Sequence, residues 1–478
     1  MNRQRPNILW ICTDQQRYDT IHALGNEAIR TPNLDRLVAE GVAFTRAYTQ
    51  SPICTPSRAC FLSGQYPSTI HVNRNGNSYF PDDVPLVTKM LADSGYDCGL
   101  AGKLHLAGAE LRVEPRVDDG YRVFKWSHHP QPETFWPGRS NAYQAWLQDQ
   151  GVDWEDIYDV GDQDRHSSIQ DYYPPGVPAQ YHQTTWCANE AIRFVSENRD
   201  RPWLMSVNPF DPHAPLDPPR EYLERMNVDK MPLPLFRQAE LAAQAAFSGV
   251  DHQTKVPTSP ADYDAKLMVA AYYAEIELID DQVGRMLRAL EATGQRENTM
   301  VIFMSDHGEM LGDHGLRLKG CRFYEGAVHV PLIISWPGHI EAGLRSDALV
   351  ELGDLAPTVL EAVGLEPNPE MQGRSLWSIL TGQADPSRHR AFVRCEFHDA
   401  INEALASHAN MLFDGRFKLV LYHGVEMGEL YDLENDPHEF VNLWTDPDWV
   451  EKRFELTKTL FDALMLATDP GQPIYGQY

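Results

Sequence analysis

The chain has 478 residues, 42% apolar and 23% charged, an ordinary globular composition that supplies a sizeable core. Its 41 basic and 68 acidic residues leave a net charge of −27, which argues against nucleic acid, an anionic membrane or a long sulfated polysaccharide as partner. Seven cysteines in no zinc-like or disulfide-like spacing, no apolar run of about 18 residues and no signal-like segment behind Met1 predict a cytoplasmic protein.

Residues 7–12, Asn-Ile-Leu-Trp-Ile-Cys, read as a buried strand. A helix follows over 31–41, with Thr31 as N-cap, Pro32 in the first helical position, Gly41 just past the end, and Leu34, Leu37 and Val38 as its buried stripe. Residues 56–63 form a second helix, closed by Gly64. Further strands are expected at 96–102, 203–208, 299–304 and 330–335, and helices at 183–198 and 263–293. This alternation predicts an α/β fold, a large and mostly parallel sheet sandwiched by helices.

Two stretches, 107–181 and 226–260, show no clean period and read as inserted loops that wall a pocket. Trp126, Trp136 and Trp186 either stack on a substrate ring or pack in the core. After residue 374 the pattern changes to short strands at 391–395, 411–413, 417–422 and 429–433, with an Asp414-Gly415 turn, and ends in a helix over 448–466. The division expected is a catalytic unit over 1–374 and a smaller C-terminal antiparallel sheet plus helix over 375–478. The tail, 470–478, reads as extended, either frayed or reaching a neighbouring subunit in a homo-oligomer.

Polar clusters follow four of the strands: Asp14-Gln15, Lys103 with His105, His213, and Asp306-His307. In an open α/β sheet the ligand crevice lies outside the carboxyl ends of the strands, so these segments are expected to converge there. Asp14, Asp306 and His307, with the amide oxygen of Gln15 as a fourth candidate, make a mixed oxygen and nitrogen set for one divalent ion. An imidazole in such a set shifts the preference from calcium or magnesium towards manganese. Cys54 in Cys-Thr-Pro-Ser-Arg stands at a helix start, where free amides and the helix dipole favour an anion, and Arg58 lies one turn on. These features also suit a plain thiolate nucleophile.

The stretch from Ser51 to Gly64 resembles the signature of the type I, formylglycine-dependent sulfatases of the alkaline phosphatase-like superfamily. Its core is Cys-x-Pro-x-Arg, followed by a short helix and Ser-Gly. The resemblance continues in Thr13-Asp-Gln, Thr31-Pro-Asn-Leu-Asp-Arg-Leu, Gly102-Lys-Leu-His, Pro212-His-Ala-Pro, Ser305-Asp-His-Gly-Glu, Lys319-Gly, Tyr324-Glu and Glu429-Leu-Tyr-Asp-Leu. It implies that a formylglycine-generating enzyme converts Cys54 to formylglycine, whose hydrate attacks the sulfur of a small sulfate ester. It further implies that Asp14, Asp306, His307, the Cys54 side chain and Gln15 surround a calcium or manganese ion. Arg58 and Lys103 would hold the formylglycine. Lys319 and His213 would contact the sulfate and help protonate the leaving oxygen, and His105 would take the proton whose loss expels sulfate. Asp14-Gln15 and His307 depart from the pattern of many animal sulfatases and are closer to bacterial choline sulfatases and phosphonate monoester hydrolases. Phosphonate monoester or phosphodiester hydrolysis is therefore the alternative, and a non-catalytic, metal-stabilised binding protein the remote one.

Overall fold

The computed structural model describes residues 5–467 except 110–111, 129–135, 137, 154–156, 158–175, 252–256 and 402–406. The tail over 470–478 lies outside the described residues. The main sheet has eight strands. From edge to edge they are Leu344–Ser346, Val42–Phe44, Leu332–Ser335, Thr299–Ser305, Asn7–Thr13, Trp203–Asn208, Asp97–Gly102 and Val123–Trp126. Only Leu332–Ser335 runs against its neighbours. The other pairings are parallel.

Strand alternation sends successive side chains to opposite faces, and both faces are apolar. Ile8, Trp10, Leu100, Met300 and Ile302 pack on one side with Ala59, Phe61 and Leu62 of the Cys54–Ser63 helix. Leu9, Ile11, Met205, Val301 and Phe303 pack on the other with the helices Pro32–Ala39, Gln183–Val195 and Ala265–Ala292. A sheet buried on both faces needs near-continuous apolar strands, which is why residues 7–12, 203–208 and 299–304 were legible.

Several expectations need correction. The stretch 330–335 is not one strand. His329–Val330 pairs in a small second sheet, and after Pro331 the strand Leu332–Ser335 joins the main one. Residues 107–181 are not only loop: Val123–Trp126 completes the sheet edge, and Asn141 caps a helix over Ala142–Asp149. Thr31 occupies the N-cap position, but its side chain does not cap. The carboxylate of Asp280, on the long helix, accepts instead from the amides of Asn33 (3.0 Å) and Leu34 (2.7 Å). Gly41 serves close approach, since a Cβ there would overlap the Ile334 carbonyl. Of the two readings of Trp126, Trp136 and Trp186, core packing holds: all three are buried in the core clusters.

The C-terminal sheet is an antiparallel meander of Val393–His398, His408–Phe413, Phe417–Tyr422 and Gly428–Asp432. Its alternation also serves two faces. Leu412, Leu419 and Leu430 meet Leu456 and Leu460 of the Val450–Leu466 helix. Met411, Val420 and Tyr431 face Tyr48, Ile53 and Phe323 of the larger part. Buried charges cross the same junction. Lys418 pairs across it with Glu325 (2.6 Å), supported from its own side by Glu439 (2.8 Å), and Arg322 pairs with Glu429 (2.6 Å).

Candidate active site

Four adjacent parallel strands, Thr299–Ser305, Asn7–Thr13, Trp203–Asn208 and Asp97–Gly102, deliver Asp306-His307, Asp14-Gln15, His213 and Lys103 to one edge of the sheet. That edge is the one at which open α/β sheets bind ligands. Gly102 has φ of 112°, and a Cβ there would overlap the Asn208 carbonyl. Glycine therefore lets the chain turn out of the sheet just before Lys103. The Cys54–Ser63 helix is pinned over the edge by Ser57, whose Oγ donates to the Asp306 carbonyl at 2.5 Å and accepts from Thr49 Oγ1 at 3.0 Å.

Ligand atoms of Asp14, Cys54, Asp306 and His307 lie within 4.8 Å of one another, all buried. Cys54 Sγ is 3.1 Å from His307 Nε2 and 3.7 Å from Asp14 Oδ1. His307 Nδ1 sits 3.0 Å from the Gly308 carbonyl and donates to it. That bond orients the ring and turns Nε2 towards the acids. Two carboxylates, one correctly presented imidazole and the Cys54 side chain fit a divalent ion.

Cations surround this cluster. Arg58 Nε donates to Asp306 Oδ2 (2.9 Å), its Nη2 reaches Asp14 Oδ2 (3.4 Å), and its Nη1 donates to the Lys103 carbonyl (3.1 Å). Lys103 Nζ donates to Asp14 Oδ2. Burial alone would push the Asp14 carboxyl up. Lys103 and Arg58 contribute the opposing field, and the net pKa is well below the usual carboxylate range. Burial and Asp14 push the Cys54 thiol up, but Lys103, Lys319 and His307 outweigh them, so it falls below the ordinary thiol value. Lys319 Nζ donates to Gln15 Oε1 and to His213 Nε2, while His213 Nδ1 donates to the Ala214 carbonyl at 2.6 Å. Burial, then Lys319, holds His213 well below the ordinary imidazole range.

Asp14, Gln15, Cys54, Arg58, Lys103, His213, Asp306, His307 and Lys319 are thus joined by direct contacts. The Gln15 amide oxygen is engaged by Lys319. His105 stands apart: its ring meets His128 edge-on at 4.7 Å, and its Nδ1 has no hydrogen-bond partner among the described residues. Burial, then Lys103 and Arg58, keeps it neutral well below the ordinary range.

Sequence reasoning missed the carboxylates behind this layer. Glu309 accepts from Gln15 Nε2 and from the amides of Leu311 (2.9 Å) and Leu318, pinning the loop that brings Lys319 in. Glu114 accepts the amides of His105 (2.9 Å), Leu106 and Ala107 (3.1 Å), and Trp126 Nε1 (3.0 Å). The only sequence signal for Glu309 was its place two residues after His307. Glu114 gave none. The expectation that 226–260 walls a pocket holds for Lys230 and Pro232, which line a cavity of about 630 Å³ with Tyr18, Asn26 and His329, and the same stretch also braces the site. Glu240 and Gln244 of this stretch hold His314 (2.6 Å) and Tyr324 (3.0 Å), bracing the Lys319 loop from outside.

The sulfatase family profile matches residues 6–365, and the profile for the C-terminal region of N-sulphoglucosamine sulphohydrolase matches 312–465. An arylsulfatase of Clostridium perfringens (strain 13 / Type A) is 30% identical over 476 residues, covering 96% of this chain and 94% of that protein. A choline-sulfatase of Rhizobium meliloti (strain 1021) is 29% identical, covering 94% and 84%. The crystal structure of a phosphonate monoester hydrolase of Agrobacterium radiobacter superposes with a TM-score of 0.83 at 28% identity, covering 97% of this chain and 96% of that one. The chain belongs to the sulfatase family, and so to the sulfuric ester hydrolases.

Proposed function

We propose that this chain hydrolyses a small sulfate monoester to an alcohol and inorganic sulfate, with Cys54 carried as formylglycine beside a calcium or manganese ion. The observation that carries this reading is the buried convergence of Asp14, Cys54, Asp306 and His307. A divalent ion there would supply Lewis acidity and lower the pKa of a bound hydroxyl. Formylglycine supplies a hydrate with two hydroxyls, one to take up the sulfuryl group and one to expel it.

The chain's own residues do the rest in this reading. Arg58 pairs with Asp14 and Asp306, Lys103 pairs with Asp14, and together they fix the groups around the nucleophile. Lys319 attracts the sulfate and carries a proton for the departing oxygen, and His213 aims it. Neutral His105 receives the proton whose removal releases sulfate. Cys54 is only 1% exposed, so its conversion by a formylglycine-generating enzyme has to precede closure of the fold. A cytoplasmic setting is supported by seven buried, unpaired cysteines. No helix among the described residues is long and apolar enough to cross a membrane. We read 1–374 as the catalytic unit and 375–478 as a subdomain that shares a core cluster with it.

The likeness to a phosphonate monoester hydrolase favours a second reading, phosphonate monoester hydrolysis at the same site. Rates on a matched aryl sulfate and aryl phosphonate, with mass spectrometry of the Cys54 peptide, test both. A higher kcat/KM on the sulfate with formylglycine at Cys54 is expected. Turnover confined to the phosphonate replaces the first reading by the second.

A further inference from the structure

A cleft of about 430 Å³ lies away from the catalytic edge, near Gly64 where the Cys54–Ser63 helix ends. Tyr66, Arg374, Arg390 and Arg394 line it together with Phe392 and the end of the Val450–Leu466 helix. Three guanidinium groups meeting in a chain of net charge −27 call for a reason. The carboxylates nearby are already engaged. Glu351 takes Arg390 Nη1 (2.9 Å) and Tyr66 OH (2.7 Å), Asp354 takes Arg390 Nη2 and His389 (3.2 Å), and Glu396 takes Ser68 Oγ (2.9 Å). The Arg374 and Arg394 amides donate to Asp354 (2.7 Å) and Glu351 (2.9 Å), but among the described residues neither guanidinium has a carboxylate partner.

The arginines are also short of acceptors. Arg394 is 4% exposed and lies over the Tyr66 ring at 3.4 Å, and among the described residues its Nη1 reaches only the Ala463 carbonyl, at 3.4 Å. Arg394 Nη2 and Arg390 Nε are buried N–H groups with no acceptor among the described residues. A buried guanidinium N–H without an acceptor is costly, and a planar fork of such donors matches an oxyanion. We propose that this cleft is a second anion site, holding a compact oxyanion such as sulfate, phosphate or a carboxylate on the guanidinium groups of Arg374 and Arg394. The apolar wall leaves room for a small hydrocarbon substituent on that anion.

The test is calorimetric titration of the metal-loaded full chain with inorganic sulfate, phosphate and acetate in turn, repeated on Arg374→Glu and Arg394→Gln. Arg374 is exposed, so its variant keeps the test open if Arg394→Gln fails to fold. The expected result is a binding event that each variant weakens at least about tenfold, the worth of one charged hydrogen bond, with hydrolysis of an aryl sulfate unchanged. The anion that binds tightest identifies the source. Identical isotherms for wild type and Arg374→Glu with all three anions would overturn the proposal.

Discussion

In the proposed mechanism the proton for the leaving group is assigned to one side chain. His213 Nδ1 is committed to the Ala214 carbonyl and its Nε2 accepts from Lys319, so Lys319 is the donor of this pair. The neutral state of His213 agrees, because burial and then Lys319 hold its pKa well below the imidazole range. Replacing Lys319 by Ala therefore removes the acid, whereas replacing His213 by Ala removes its guide. A general acid contributes about 10²–10⁴-fold when an alkoxide leaves and little when an activated phenolate leaves. Spread over about eight units of leaving-group pKa, that loss steepens the dependence of log kcat/KM by about 0.25–0.5 per unit. A contact that only attracts sulfate slows every ester alike and leaves the slope unchanged. The assay is kcat/KM for wild type and both variants over sulfate esters ranging from activated phenols to alkyl alcohols. Lys319→Ala is expected to show the full steepening and His213→Ala a part of it. A wild-type slope in Lys319→Ala with a steep one in His213→Ala would refute the assignment and make the imidazole the donor.

Cys54→Ala should lower kcat/KM by at least about 10³-fold while the thermal transition persists, since it removes the proposed nucleophile. Activity within tenfold of wild type would place the nucleophile elsewhere. Chelation followed by readdition should show manganese restoring activity at least as well as calcium, because His307 supplies a nitrogen ligand. Recovery with calcium alone contradicts that. Stability should fall on acidification through His182, which accepts from the Thr184 amide at the start of the Gln183–Val195 helix. Burial lowers its folded pKa. The unfolded chain then binds a proton near pH 6.5 that the folded chain refuses, costing up to about 1.4 kcal/mol per pH unit below that point. His182→Asn keeps an acceptor that does not titrate and should flatten the urea midpoint against pH, whereas an unchanged slope removes His182 from the account. Glu309→Gln frees the Gln15 amide to flip and should weaken both metal retention and turnover. Normal metal retention with lowered activity would confine Glu309 to the Lys319 loop.

Local sequence determined what depends on neighbours a few residues apart. The apolar runs at 7–12, 203–208 and 299–304 had to be buried strands, because only a strand covered on both faces tolerates such runs. The meander strands and the Gly64 helix end followed from alternation and from the need for a left-handed residue, which Gly64 supplies at φ of 72°. The residues that converge at this edge were legible too, because Asp14, Lys103, His213 and Asp306 follow strands and the Cys54 signature is contiguous. Other features depended on partners that local sequence does not specify. Val123–Trp126 is only half-buried at the sheet edge, so its apolar signal is weak. Asp280 caps a helix 247 residues away in the chain, and Glu309 steadies Gln15 across 294. Hydrogen bonds over such separations exist only once strand order is set. Strand order comes from packing summed over the whole sheet, so the layer that orients the catalytic edge was decided by tertiary structure alone.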